Sequence, residues 1–293
     1  MKIKKMELYL NGKLINSVDK ETMTVTINSK KYLPGNTSIK VESTNSEGIK
    51  GINYSNVIIA SDINPEKTGY QVIGTLNHSV KNFTEGFEFY GDKLFESTGN
   101  HGESYIYSYN PSTGKEITSL KLDNEYFGEG ITILNDKIYQ LTYKSKKGFV
   151  YDVNTFKKLK EFTFSSEEGW GMTNDGKNII MSDGTSKIHF INPDTFERIK
   201  SIEVCDNKGI ISNINELEYV DGVIYANIWM TQTILKIDAQ NGRVLKIINM
   251  SGIQSQFDQN KIDVLNGIAF NKKENIFYVT GKYWPKTFKV IFK

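Results

Sequence analysis

One acidic side chain stands between two glycines in Tyr126-Phe127-Gly128-Glu129-Gly130-Ile131-Thr132, just ahead of an alternating apolar run. Glycine on both sides removes neighbouring Cβ atoms and lets the backbone turn sharply, so the carboxylate of Glu129 is expected to project freely rather than lie on a strand face. A carboxylate so placed can take a proton from one group and hand it to another, which is the work of a general acid–base. The plainer alternative is a solvated glutamate in a hairpin, and Glu-Gly by itself favours that alternative. Recurrence reverses the balance. Similar stretches stand at Phe83-Thr84-Glu85-Gly86, Glu168-Gly169-Trp170-Gly171, Asn215-Glu216-Leu217-Glu218 and Leu265-Asn266-Gly267.

These stretches open the copies of an internal repeat that begins at Tyr70. Each copy reads as strand, Asp-Gly-like turn, strand, loop, strand, turn, strand. The second runs Glu129–Ile133, Asn135-Asp136, Ile138–Thr142 and Phe149–Asp152; the fourth runs Asn215–Tyr219, Asp221-Gly222, Val223–Asn227 and Ile234–Asp238. The period is roughly 40–50 residues, the length of a propeller blade. Four-stranded meanders set radially shelter their edges, so five copies predict a five-bladed β-propeller over residues 70–293. The fifth copy holds only three strands before Lys293. The unpaired strand Tyr70–Leu76 ahead of the first copy is expected to supply the fourth and tie the ring shut. The innermost strand of each blade lines the axis, so the five entrances converge on one mouth, a natural place for a pocket. They carry different polar and aromatic groups on one frame, which points to a heterogeneous site; plugging of the channel is the alternative.

The segment before the repeat is different. Residues 1–64 read as short strands at Glu7–Leu10, Thr22–Ile27, Ser38–Ser43 and Val57–Ala60, with a hairpin turn at Asn11-Gly12 and another turn at Leu33-Pro34-Gly35-Asn36. Alternation in Thr24–Ile27 and Ile39–Glu42 fits half-buried antiparallel strands. A small immunoglobulin-like β-sandwich module is expected, with no chemical constellation of its own. Residues 65–69 form a polar linker between the two units.

Composition narrows the function. With 36 Lys+Arg against 34 Asp+Glu the formal net charge is +2, so nucleic acid is not an expected partner. No apolar run reaches transmembrane length. The start, Met1-Lys2-Ile3-Lys4-Lys5, leads into no apolar core, so no signal peptide is visible. Sixteen Tyr, 16 Phe, 24 Gly and 5 Pro suit many short strands joined by glycine turns. Cys205 is the one cysteine, and His78, His101 and His189 lack ligand spacing, so neither an internal disulfide nor a metal site is expected and each histidine reads as an ordinary surface or strand residue.

The motifs in series resemble the glutaminyl-peptide cyclotransferases of the plant and bacterial type. Those that carry the likeness run in order from Tyr70 to Lys293. They are Phe83–Gly86 and Glu96–Gly99; Phe127–Gly130, Tyr139–Thr142 and Gly148–Asp152; Glu168–Gly171 and Ser182–Gly184; Asn215–Glu218 and Tyr225–Trp229; Asp263–Ala269 and Val279–Pro285. The resemblance implies a five-bladed propeller that works without a cofactor. It would convert the N-terminal glutamine of a peptide or protein to pyroglutamate, releasing ammonia. It also implies an extracytoplasmic location, periplasmic or secreted; a monomer is the expected state.

By the same resemblance Glu129 is the essential glutamate and Lys282 a lysine that stabilises negative charge or sets the charge on Glu129. Trp170 and Trp229 would box the glutaminyl side chain, each with an indole N–H free to donate. Phe83 and Phe127 would complete the wall, and Asn215 would bind the amide or the amine. Such a wall strips water from Glu129 and should raise its pKa. Two positions depart from the family pattern: Glu85 stands where the family usually has glutamine, and Tyr143 where it favours tryptophan. A second carboxylate at Glu85 would raise the Glu129 pKa further or bind the substrate's ammonium. Two other functions stay open: a non-catalytic propeller that binds peptides or another ligand, and a metal-centred lactone hydrolase using Glu85, Glu129, Asn215 and Asn266.

Overall fold

A computed structural model describes residues 2–293. Met1, the first residue of the expected N-terminal module, lies outside the described residues. The chain is all β apart from one short 3-10 turn at Ser29–Lys31, and it builds many small sheets.

Residues before 60 form a single antiparallel sheet of β1 (Ile3–Leu10), β2 (Lys13–Val18), β3 (Gly35–Asn45) and β4 (Lys50–Ile59), in the order β2-β1-β3-β4. The expected strand Thr22–Ile27 joins no ladder. Its side chains nevertheless alternate between exposed and half-buried, so the period-2 pattern is met by packing alone. A second hydrogen-bonded layer, which a sandwich requires, is not formed by these residues. The sheet docks on the rest of the chain through polar contacts. Asn36 donates from its backbone N–H and its Nδ2 to Glu203, at 2.7 and 2.8 Å. Arg243 Nε lies 2.9 Å from Asp62 Oδ1.

Two strands connect it to the repeats: β5 (Glu66–Thr68) and β6 (Tyr70–Asn77). The first repeat sheet is β7 (Thr84–Tyr90), β8 (Lys93–Thr98), β9 (Tyr105–Tyr109) and β10 (Glu116–Lys121). The second is β11 (Gly128–Leu134), β12 (Lys137–Thr142), β13 (Lys147–Asp152) and β14 (Lys158–Thr163). The third is β15 (Met172–Asn174), β16 (Ile179–Ser182), β17 (Lys187–Ile191) and β18 (Arg198–Glu203), followed by a small hairpin, β19 (Cys205–Asp206) and β20 (Gly209–Ile210). The fourth is β21 (Ile214–Val220), β22 (Val223–Ile228), β23 (Thr233–Asp238) and β24 (Val244–Asn249). The fifth has β25 (Leu265–Asn271), β26 (Ile276–Gly281) and β27 (Lys286–Phe292), and β6 pairs antiparallel with β27 as its outermost strand. The linker is not idle: β5 pairs parallel with β24 and extends the fourth sheet.

The first strands of the five sheets touch in a closed circuit, β7 to β11 to β15 to β21 to β25 and back to β7. These inner strands are packed on both faces, so β11 is buried at every position, while the outer strand β10 is largely exposed. Between neighbouring sheets lie apolar cores, such as Phe95, Ile106 and Ile131 between the first two. Each such side chain taken out of water contributes about 1.5–3 kcal/mol. The core between the fifth and first sheets is the smallest, built on Phe87, Leu94, Ala269 and Tyr278. A polar cluster reinforces that seam: Glu96 accepts hydrogen bonds from Thr84 Oγ1 at 2.7 Å and Asn82 Nδ2 at 2.7 Å, and lies 3.0 Å from His78 Nε2. His78 and His189 are buried members of polar clusters, and His189 lies within strand β17.

Candidate active site

Glycines bring the inner strands close enough to converge. A Cβ at Gly130 would stand 2.4 Å from the Trp170 carbonyl oxygen, and one at Gly171 would stand 2.2 Å from that of Asn215. Neither residue has a positive φ. The glycines beside Glu129 thus serve close approach between strands rather than the sharp turn expected from sequence. The aim of the side chains comes from another device. The register slips between Thr84 and Gly86, between Gly128 and Ile131, between Ile214 and Leu217, and between Leu265 and Ile268. A β-bulge turns a side chain out of the regular alternation. The four slips fall at Glu85, Glu129, Asn215 and Asn266.

Four entrances then meet the end of β26 at a cavity of about 210 Å³. It is lined by Phe83, Glu85, Phe127, Glu129, Trp170, Asn215, Trp229 and Lys282, every residue selected from sequence, together with Tyr143. The aromatic rings line it in two groups. Trp170 and Trp229 meet edge to face with centroids 5.7 Å apart, and Phe83 and Phe127 do the same at 6.0 Å. Phe127 also packs on Tyr143 at 5.7 Å, so the departure at Tyr143 keeps an aromatic contact. Trp229 is 41% exposed and forms the outer lip, while Glu129 is 5% exposed and lies at the bottom.

The polar floor is tightly arranged. Lys282 Nζ lies 2.7 Å from Glu85 Oε1 and 4.2 Å from the centre of the Phe83 ring. Asn266 Nδ2 donates to the other oxygen, Glu85 Oε2, at 3.1 Å and to the Thr84 carbonyl at 2.9 Å. The carboxyl of Glu129 sits against that of Glu85. Burial pushes the Glu129 pKa well above the usual carboxylate range, the Glu85 charge pushes it further, and Lys282 pulls the other way. Burial also raises Glu85, against the pull of Lys282. Asn215 Oδ1 is buried without a partner, an acceptor available to an N–H that a ligand brings.

One expectation needs correction. The Trp170 indole N–H is not free: it donates to Glu168 Oε2 at 2.9 Å, and Glu168 Oε1 lies 3.2 Å from Lys144. Lys282, for which the sequence offered no partner, is half of a buried ion pair with Glu85. Sequence reading also left Asn266 and Glu168 out of the site proper. Asn266 heads a matched entrance, a signal that was present. The bond from Trp170 to Glu168 spans two residues across a turn and has no periodic signature. Among the described residues, no group of three or more His, Cys, Asp or Glu is placed to hold a metal ion.

The far ends of the inner strands enclose a second cavity, of about 630 Å³, lined by Glu88, Asn174, Glu218 and Lys272 among others. Its buried acids are occupied by the backbone: Glu218 accepts from Phe270 N at 2.9 Å and Glu88 from Ile133 N at 3.0 Å. Glu216, on β21 between Asn215 and Glu218, accepts from Phe87 N at 3.1 Å and Ile268 N at 2.8 Å.

Comparison with known proteins gives concordant results. A family model described as glutamine cyclotransferase matches residues 49–292, beginning just before β4. A glutaminyl-peptide cyclotransferase of Arabidopsis thaliana is 36% identical over 227 residues, covering 76% of this chain and 71% of the relative. The crystal structure of Myxococcus xanthus glutaminyl cyclase superposes with a TM-score of 0.72 at 29% identity, covering 78% of this chain and 98% of that one.

Proposed function

The chain belongs to the glutamine cyclotransferase family, and from that premise we propose how its cavity closes an N-terminal glutamine of a peptide into pyroglutamate. The α-amine attacks the side-chain amide carbonyl, a five-membered lactam closes, and the γ-nitrogen leaves as ammonia. Both reacting groups belong to one residue, so proximity is largely built into the substrate. What the protein must add is proton transfer and charge stabilisation.

Glu129 is the general acid–base. It starts protonated, gives that proton to the departing γ-nitrogen and takes one from the α-nitrogen, ending as it began. Its raised pKa suits the exchange, because a free α-amine has a pKa of about 7.7–8.0 and a carboxylic acid moved toward that range can pass protons both ways. Lys282 keeps ammonium hydrogens beyond the one directed at Glu85, and these stabilise charge developing on the carbonyl oxygen. Trp170, Trp229, Phe83 and Phe127 wrap the aliphatic part of the side chain, with Trp170 held in orientation by Glu168. Asn215 binds the amide or the amine. These proton transfers call on no cofactor.

We read the five sheets as blades of a five-bladed propeller spanning residues 70–293. Residues 1–64 are an accessory, immunoglobulin-like β module reduced here to one sheet, and residues 65–69 join the two. Among the described residues, no helix is long and apolar enough to cross a membrane. An extracytoplasmic monomer acting on peptides is the accompanying proposal.

The observation that carries the mechanism is a buried carboxyl facing a cavity walled by two indoles. The test is ammonia release from a glutamine-initiated dipeptide, with and without a chelator. Wild type is expected to release ammonia in both conditions. Silence from wild type, with the dipeptide still bound, would instead make the cavity a binding site. Undiminished release by Glu129→Gln would remove Glu129 from its role.

A further inference from the structure

We propose that His78 is a positioning residue for the active site: held as an imidazolium between the Glu96 carboxylate and the Trp284 carbonyl, it fixes the turn that presents Lys282 against the strand that presents Glu85. The inference rests on the cyclotransferase reading and extends its machinery to a buried group that does not line the cavity.

His78 follows β6, the strand that closes the ring. Its Nδ1 lies 2.6 Å from the Trp284 carbonyl oxygen, in the turn between β26 and β27. Its Nε2 lies 3.0 Å from Glu96 Oε1 on β8 and 3.5 Å from the Thr84 hydroxyl on β7. Tyr109 of β9 and Glu116 of β10 line a small cavity together with His78. A carbonyl oxygen only accepts. Glu96 also accepts: its two oxygens take the Thr84 hydroxyl and Asn82 Nδ2, each at 2.7 Å. A neutral imidazole has one N–H and one bare nitrogen, so it would set a lone pair against one of the two acceptors. The doubly protonated ring donates to both. The side chains of His78 and Glu96 are 5% and 0% exposed, and an unmatched acceptor is costly at such depth. Burial works against the charge on His78, but the Glu96 charge and the hydrogen bonds to Glu96 and Trp284 outweigh it, so its pKa stands above the ordinary histidine value.

This pair is one residue removed from the cavity floor on both sides of the seam between the fifth and first sheets. On one side Glu96 holds Asn82 and Thr84, and the next residue is Glu85. On the other, three successive residues after Lys282 are tied. Tyr283 N–H donates to the Asn82 carbonyl at 2.7 Å, the Trp284 carbonyl accepts from the His78 ring, and the Pro285 carbonyl accepts from His78 N–H at 3.0 Å. Tyr283 has φ +61°, a left-handed conformation that a bulky residue adopts only where its surroundings impose it. Two buried ion pairs, His78–Glu96 and Lys282–Glu85, thus span one seam. Because the apolar core there is the smallest of the five, these polar ties carry the alignment of Lys282 with Glu85.

Two substitutions split the contacts of the ring. His78→Gln puts an amide N–H near the place of Nε2, where it still donates to Glu96, and abandons the Trp284 carbonyl. His78→Asn puts one near the place of Nδ1, where it still donates to Trp284, and abandons Glu96. Ammonia release from a glutamine-initiated dipeptide should show kcat lower by about tenfold or more in His78→Gln and by less than about threefold in His78→Asn, with KM within about threefold of wild type in both. A role in stability alone would lower both denaturation midpoints and leave the kcat values of the two variants alike. Equal kcat in the two, or the greater loss in His78→Asn, overturns the proposal. The charge on the ring is read in wild type, whatever the variants do. The chain has three histidines, His78, His101 and His189, so nitrogen NMR spectra of the imidazoles are simple to assign. At about pH 8 an ordinary histidine is neutral. His78 should still carry a proton on both ring nitrogens, and a bare nitrogen there overturns the proposal. Should wild type release no ammonia, the cyclotransferase reading has failed on its own. The hold on the turn is then read from hydrogen exchange at the Tyr283 amide, expected to be faster in His78→Gln than in His78→Asn. Equal exchange in the two would overturn the proposal there too.

Discussion

The inner strands bury glutamates at both of their ends, but the two groups are held differently. At one end Glu129 faces a cavity and the carboxyl of Glu85, and Glu85 is held by side chains, Lys282 and Asn266. Toward the other end Glu218 takes one backbone N–H donor and Glu88 takes one along with the Thr132 hydroxyl, and Glu216, on β21 between Asn215 and Glu218, takes two from neighbouring strands. Burial raises the pKa of all five. A perturbed pKa therefore does not separate chemistry from architecture here. The partner does: an acid that caps backbone donors stitches strands together, and one that faces only ionisable groups and open space can exchange a proton.

That contrast is open to experiment. The largest effect expected is on turnover in Glu129→Gln, a loss of about 10²- to 10⁴-fold in kcat with the denaturation midpoint near wild type. Next is the converse. Glu216→Gln puts an amide N–H against a backbone N–H, leaving a buried donor unmatched at a cost of about 1–3 kcal/mol by chemical denaturation, with kcat near wild type. If these two variants exchanged phenotypes, the division between the ends would be lost.

A further separation comes from pH. Glu88 is pushed up to about 8 in the folded chain, chiefly by burial. A raised acid contributes stability in full below its unfolded pKa and loses it as pH climbs through the folded one. Wild type should therefore lose stability between about pH 4.5 and 8 relative to Glu88→Gln, by at most about 5 kcal/mol. Parallel stability–pH curves for the two would remove Glu88 from that account. The smallest expected effect is at the cavity. Glu85→Gln takes away a negative charge that raises Glu129; because Glu129 must start protonated, the alkaline limb of the kcat/KM profile should move to lower pH. A superimposable profile would mean that Lys282 already cancels the influence of Glu85.

Much of this arrangement was legible in the residues, for identifiable reasons. Gly91-Asp92, Asn135-Asp136, Asp175-Gly176 and Asp221-Gly222 marked the first hairpin in four of the five sheets, because only certain residues accept those turn conformations. The unpaired run Tyr70–Leu76 announced the strand that joins β27. Phe83, Glu85, Phe127, Glu129, Trp170 and Asn215 were legible because they stand at repeated entrances, whereas Trp229 and Lys282, just past β22 and β26, were picked out through the family resemblance. Other features had no local signature. The pairing of β5 with β24 is three residues long and parallel, so neither periodicity nor a turn foretells it. Thr22–Ile27 alternates like a strand yet forms no ladder, because alternation reports which side is covered and not what the backbone bonds to. The pairing of Lys282 with Glu85 spans 197 residues and is decided by the closing of the circuit.

The bond between β6 and β27 also has a consequence for how the molecule is made. Lys286 reaches back across 209 positions to Asn77, so the earliest segment of the ring leaves the ribosome long before its mate has been translated. Until then one edge waits bare, with Val72 and Ile73 exposed even after assembly. Contacts this distant slow folding and lengthen the interval in which a nascent strand can pair with a stranger. A ribosome stalled before β27 would leave that clasp undone, and what emerged would be prone to clump rather than to wait.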